Sequence, residues 1–253
     1  MEFCENRFLL FRGVNSSNES TLDTFVGQTE SVSLLKKACD AAKARKAPLD
    51  HILLTGKTGL GKTMLARAIA NEMNRNVYWI SPDALSSPGD LVSVLTDLYD
   101  GDIVVVDDIH RMKKRDLENL VPALRDGSMD IVLGKGPSAN MIHLELPYFT
   151  VIGTTYRDES LDNRLKDCFE IRIRLHDYSF EELAAIAEQY APKLGIRIDR
   201  EGALMIGAVS GGAPRETIRI LKRVRDFATV KQIEKVPVEL IESILDMMGN
   251  TEM

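Results

Sequence analysis

The sequence predicts an α/β fold: a parallel sheet with helices on both faces, followed by a small helical domain. Three observations carry that expectation. Short aliphatic runs of strand length, above all Ile103 to Val106, alternate with segments of helical period between about Gln28 and Leu175. A glycine-bearing loop, Gly56 to Thr63, stands between a strand-like run and a helix-like run. After Asp177 the strand pattern stops, and helix-start signals follow one another.

Taken in order, residues 1–21 mix aromatics with the polar stretch Asn15 to Thr21 and read as an arm without helical or strand period. From Gln28 to Lys46 the apolar positions Val32, Leu35, Cys39 and Ala42 recur at helical steps, and Pro48 ends the helix. A strand follows at His51 to Thr55, then the glycine loop and a helix through Asn74. Next come a strand at Val77 to Ile80, a helix at Gly89 to Tyr99, the strand Ile103 to Val106 and a helix at Arg115 to Leu124. The alternating segments Asp130 to Leu133 and Met141 to Leu146, joined by Gly134 to Ser138, read as a hairpin. Strands at Thr150 to Thr154 and Ile171 to Leu175 complete the sheet, so the first domain spans 22–177. In the second, 178–253, Ser179 with Glu182 forms a capping box, Asp199 caps a second helix, Pro214 opens a third and Val238 to Met248 forms the last.

Composition narrows the function classes. The 253 residues carry 38 acidic and 32 basic side chains, a net charge of −6, so no chain-wide positive field draws in nucleic acid or an anionic membrane. Any DNA contact is therefore local. Cys4, Cys39 and Cys168 are too few and scattered for a disulfide framework and fit free thiols at a cytoplasmic address. No run is long and apolar enough for a signal peptide core or a membrane span. His51, His110, His143 and His176 lack metal-ligand spacing.

The motif with most chemistry in it is Gly56, four residues, then Gly61, Lys62 and Thr63. Binding a phosphate takes several backbone N–H groups aimed at one point. Glycines permit that loop, the helix N-terminus adds positive potential, and Lys62 supplies a cation for the outer phosphates. Gly59, Leu60 and Met64 belong to the same cradle, and Thr63 is placed to ligate Mg²⁺. The second half is the buried strand ending in Asp107 and Asp108, since ligands gather at the carboxyl edge of parallel strands. Asp107 then positions Mg²⁺, and Asp108 orients or deprotonates the attacking water. Together these features point to ATP or GTP. Arg215, next to Pro214, either reaches back to the γ-phosphate or is one more surface cation of a basic helix with Arg219, Lys222, Arg223 and Arg225.

Several segments carry a family resemblance: Leu22 to Gln28 (LDTFVGQ), Ala41 to Gly56 (AAKARKAPLDHILLTG), Gly59 to Thr63 (GLGKT), Asp107 to Arg111 (DDIHR), Asp130 to Ala139 (DIVLGKGPSA) and Arg223 to Ala228 (RVRDFA). From about Thr21 to Gly249 the chain resembles the RuvB Holliday-junction branch-migration ATPases, hexameric AAA+ motors. The resemblance implies an AAA+ P-loop parallel sheet domain followed by a small helical lid domain, with ATP and Mg²⁺ bound. It matches Lys62 and Thr63 to the family's Walker A, Asp107 to Walker B, Thr155 to the sensor 1 region, and Pro214 and Arg215 to sensor 2. Phe25 and Val26 match the segment near the adenine. It further implies a homo-oligomeric ring, DNA met indirectly or through the ring pore, and docking of a RuvA-like partner on the hairpin at 130–146.

Four departures from the family pattern bear on activity. Asp108 stands where the family has a catalytic glutamate, which is one methylene longer, so hydrolysis is expected to be slow. The family's arginine finger falls on Cys168, and its second sensor threonine on Tyr156. The family continues into a winged-helix DNA-binding domain beyond the position of Met253. Two functions follow as expectations: an ATP-driven motor on branched DNA acting in recombination or replication, or an ATP-binding switch or helicase loader that hydrolyses slowly and acts on another protein.

Overall fold

A computed structural model describes residues 21–133 and 140–249. The chain runs through α1 (Thr29–Arg45), β1 (Ile52–Thr55), α2 (Lys62–Met73), β2 (Val77–Ile80), α3 (Pro88–Thr96), β3 (Ile103–Val106) and α4 (Lys114–Asp126). It continues through β4 (Ser128–Leu133), β5 (Asn140–Glu145), β6 (Thr150–Thr155), α5 (Asn163–Lys166) and β7 (Ile171–Arg174). The chain ends in α6 (Phe180–Tyr190), α7 (Arg200–Val209), α8 (Pro214–Val230) and α9 (Val238–Gly249). Short 3₁₀ turns at Pro82–Ala84, Ile109–Arg111 and Ala191–Leu194 link some of these.

Five strands form one parallel sheet in the order β2-β3-β6-β1-β7. Every residue of β1, β3 and β6 is buried, so these strands read as unbroken runs with no alternation. The edge strand β7 instead exposes Arg172 and Arg174 around buried Ile173, and cations on an edge discourage pairing with another chain. The apolar stripe of α1 places Leu35, Cys39 and Ala42 in the interior.

The hairpin is a separate two-stranded antiparallel sheet, with Ser128 opposite Glu145 and Leu133 opposite Asn140, and does not extend the main one. Gly127, at φ 65°, ends α4 and turns the chain into it. Met129 is buried, with Ile131, Leu144 and Leu146 packed partly against the core, while Met141 and Ile142 on β5 are exposed. The expected hairpin turn at 134–138 and residues 1–20 of the expected arm lie outside the described residues. So do the last residues, 250–253.

By packing, the described chain forms two compact units, one of residues 21–25, 30–56 and 62–174, the other of 26–29, 57–61 and 175–249. In the second unit each expected cap is present. Ser179 and Glu182 bond reciprocally, Asp199 accepts from the Gly202 N–H at 2.8 Å, and Pro214 is the first residue of α8. Small residues let α6 and α7 approach closely: a Cβ at Gly207 would lie 2.3 Å from the Phe180 carbonyl oxygen. Around that contact Ala184, Ala187, Ile206, Leu221, Val224 and Ile241 form an aliphatic core. Among the described residues no helix is long and apolar enough to cross a membrane.

Candidate nucleotide-binding and hydrolysis site

The site grows out of the carboxyl ends of the central strands. β1 ends at Thr55, Gly56 begins the loop, and Lys62 and Thr63 open α2, where unpaired helical N–H groups collect. Lys62 is buried, with Nζ donating to the Gly56 carbonyl at 2.8 Å, so the cation is held across the mouth of its own loop. Gly59 has two reasons to be glycine. Its φ is +91°, and an added Cβ would sit 3.2 Å from the Cβ of Arg215. Leu60 is buried, whereas Met64 is about half exposed.

β3 delivers Asp107 and Asp108 half-buried beside that helix start. Thr63 Oγ1 donates to Asp107 Oδ1 at 3.1 Å, which brings together the two side chains expected to hold the metal. A hard cation that retains water and binds phosphate oxygens needs only one or two such protein oxygens, so the pair fits Mg²⁺. No group of three or more His, Cys, Asp or Glu suited to a metal occurs among the described residues.

Asp108 has left-handed backbone, φ 53° and ψ 49°. That conformation is costly for most side chains and comparatively tolerated by Asp and Asn. Its amide donates to Thr154 Oγ1 at 3.1 Å, and the same hydroxyl donates to Asp107 Oδ1 at 2.5 Å. One buried threonine therefore orients the first carboxylate and anchors the backbone that aims the second. Sequence reasoning assigned no role to Thr154. The register pairs Val106 with Gly153, which sets Thr154 beside Asp107.

Thr155, the residue assigned to sensor 1, is directed elsewhere: its hydroxyl pairs with His110 Nδ1 at 3.1 Å and accepts from the Arg157 amide at 2.9 Å. The His110 ring meets the edge of Tyr156 at 4.6 Å, and the Arg157 guanidinium lies 5.3 Å from the same tyrosine ring. Desolvation holds the His110 pKa below the ordinary histidine value, against the opposing pull of Asp108. His110 is thus a locally hydrogen-bonded side chain.

In the second unit, the tip of the loop is gripped from outside. Arg215 N–H, one of the free donors at the start of α8, donates to the Gly59 carbonyl at 3.3 Å, and Tyr178 Oη donates to the Leu60 carbonyl at 3.1 Å. Pro214 is the first residue of that helix, and the Arg215 side chain is exposed. Phe25 and Val26 are half-buried, just ahead of Gly27, whose added Cβ would fall 2.5 Å from the Tyr178 ring.

The segment aligned with an arginine finger has a different character. Asp162 caps α5 and pairs with Arg164, whose guanidinium is exposed. Cys168 points inward: it is buried, with Sγ 3.2 Å from the Arg164 carbonyl, and desolvation raises its pKa.

Comparison with known proteins agrees with this architecture. The family described as the Holliday junction DNA helicase RuvB P-loop domain matches residues 18–175, and the RuvB AAA lid domain matches 178–249. The solved Thermotoga maritima RuvB Holliday junction branch migration motor is 34% identical, with a TM-score of 0.80, over 90% of this chain and 72% of that one. A point mutant of Thermotoga maritima RuvB gives 34% identity and a TM-score of 0.82 over 91% and 73%. The FIGL-1 AAA domain in complex with ADP, 16% identical, shares the fold alone, at a TM-score of 0.69 over 91% and 85%.

Proposed function

We propose that this chain, which belongs to the RuvB family of AAA+ ATPases, hydrolyses ATP slowly to remodel branched DNA in recombination or replication, within a homo-oligomer and with a partner protein. The observation that carries the reading is the convergence of the Thr63 and Thr154 hydroxyls on one carboxylate oxygen of Asp107, with the Asp108 amide donating to the same Thr154 hydroxyl. In this reading Lys62 and the loop amides hold the phosphates, and Thr63 and Asp107 hold the metal. When bound, Mg²⁺ would neutralise charge on the transferring phosphoryl group. Asp108 orients the attacking water and takes its proton. Arg215 acts as the second-unit cation toward the γ-phosphate. The hairpin, with Met141 and Ile142 exposed on β5, offers the surface for a RuvA-like or helicase partner.

A second reading, an ATP-binding switch or helicase loader, rests on Cys168. A buried thiol offers no positive charge to a neighbouring subunit, and a missing finger is worth about 10³ to 10⁵ in rate. The test is ATP turnover by the purified protein, alone and with four-way junction DNA, with oligomeric state recorded by light scattering in the same samples. Slow turnover that rises with junction DNA in a closed oligomer is expected. Tight ATP binding with no turnover in any DNA-containing sample would replace the motor by the switch.

A further inference from the structure

Tyr178 lies between β7 and α6, outside every motif that suggests nucleotide chemistry, yet its contacts converge on the phosphate loop. Its side chain is buried at 5% exposure. The hydroxyl donates to the Leu60 carbonyl at 3.1 Å, and the backbone N–H donates to the Gly212 carbonyl at 2.9 Å, in the turn that leads into Pro214 and Arg215. The ring fills the space that a side chain at Gly27 would occupy, next to the segment aligned with the adenine. The neighbouring Gln28 side chain holds the same linker by donating to the His176 carbonyl at 2.7 Å and accepting from the His176 N–H at 3.1 Å.

The chemistry of the contact follows from peptide geometry. In a trans peptide the C=O and the following N–H point in opposite directions, and no cis peptide occurs among the described residues. Holding the Leu60 carbonyl from one side therefore turns the Gly61 N–H to the other. The Arg215 N–H on the Gly59 carbonyl does the same for the Leu60 N–H. Two consecutive amides of the loop are thus oriented by hydrogen-bond donors from residues distant in the chain. An anion cradle built of backbone amides depends on that orientation, because a flipped peptide presents a carbonyl to the phosphate.

The geometry points to Tyr178 as a positioning residue that sets the phosphate loop through the Leu60–Gly61 peptide and ties it to the turn before Arg215. The inference rests on the nucleotide-site reading above and adds to it a residue whose hydroxyl acts through the Leu60–Gly61 peptide. It is specific to the phosphates: loss of the hydroxyl weakens every ligand that the loop amides hold, whether or not it carries a base.

The test is equilibrium titration of the full chain with ATP, and with inorganic tripolyphosphate as competitor, for the wild type, Tyr178→Phe and Lys62→Ala. Tyr178→Phe keeps the ring against Gly27 and removes only the hydroxyl. ATP and tripolyphosphate are both expected to weaken by the same factor, roughly tenfold, the worth of about one hydrogen bond, with the helical circular dichroism unchanged. Weaker ATP with unaltered tripolyphosphate, wild-type affinity for both, or loss of the folded signal would each overturn the positioning role. If the nucleotide-site reading itself is at fault, the wild type binds ATP no better than Lys62→Ala, or tripolyphosphate fails to compete. Either result removes this inference as well, and differs from intact wild-type binding that Tyr178→Phe leaves untouched.

Discussion

The two ends of the central sheet both bury polar groups, but to opposite effect. At the amino end each one is consumed by structure. Thr150 Oγ1 donates to the Leu49 carbonyl at 2.5 Å, and Asp102 accepts from Asn76 at 3.0 Å and from the Tyr99 amide at 2.9 Å. His51 Nδ1 accepts from the Val151 amide, so its proton sits on Nε2, facing the Leu124 carbonyl at 3.2 Å. At the carboxyl end Lys62 donates to the Gly56 carbonyl, Thr63 donates to Asp107, and the half-buried Asp108 holds a left-handed backbone. Polar residues that finish their hydrogen bonds within the fold stabilise it. Those at the carboxyl ends of the strands are the ones proposed above to meet the nucleotide.

The contrast breaks if substitutions at the carboxyl end act on stability and those at the amino end act on ligands. The largest expected effect is Lys62→Ala: ATP affinity falls by at least about 100-fold in equilibrium titration, since a charge-assisted contact to phosphate is lost. The melting temperature of the ligand-free protein stays close to wild type. Next, Thr154→Val preserves shape but leaves the Asp108 amide and the Asp107 carboxylate without their shared hydroxyl. Turnover should drop roughly 10- to 100-fold with ATP affinity changed much less, and Thr154→Ser should restore most of it. A loss of ATP affinity as large as the loss of turnover would mean that Thr154 serves the loop and not the carboxylates.

The smallest effect belongs to the amino end. Burial holds the His51 pKa below the ordinary 6.5, so the folded state binds a proton less readily than the unfolded chain. That contribution is complete above about pH 6.5 and is lost as the pH falls from there toward the depressed value, by at most about 1.4 kcal/mol per pH unit. Thermal melts between pH 8 and 5.5 should show the decline in the wild type and a shallower one in His51→Gln, with ATP affinity at pH 8 alike in both. Parallel declines would assign the pH dependence to another group.

Features carried by consecutive residues were legible in the sequence. The phosphate loop is one, because its glycines, lysine and threonine must be contiguous for the backbone to wrap a phosphate. The strand Ile103–Val106 with its two carboxylates is another, because burial on both faces demands an unbroken aliphatic run. Helix caps at Ser179, Asp199 and Pro214 were readable for the same local reason. The four-residue α5 was not, since it is too short to show a period.

Tertiary structure alone decided which of two adjacent threonines meets the carboxylates. Neighbours in a strand face opposite ways, and only the register of β6 against β3 puts Thr154 beside Asp107 and sends Thr155 to His110. It also decided that Cys168 points inward and that the hairpin forms its own sheet. It brought the Tyr178 hydroxyl to Leu60, a residue 118 positions earlier in the chain. The sequence by itself determined the chemistry available at each strand end, because that chemistry is local. Which partners share it depends on contacts between residues far apart in the chain, and those exist only once the sheet has closed and its helices have packed.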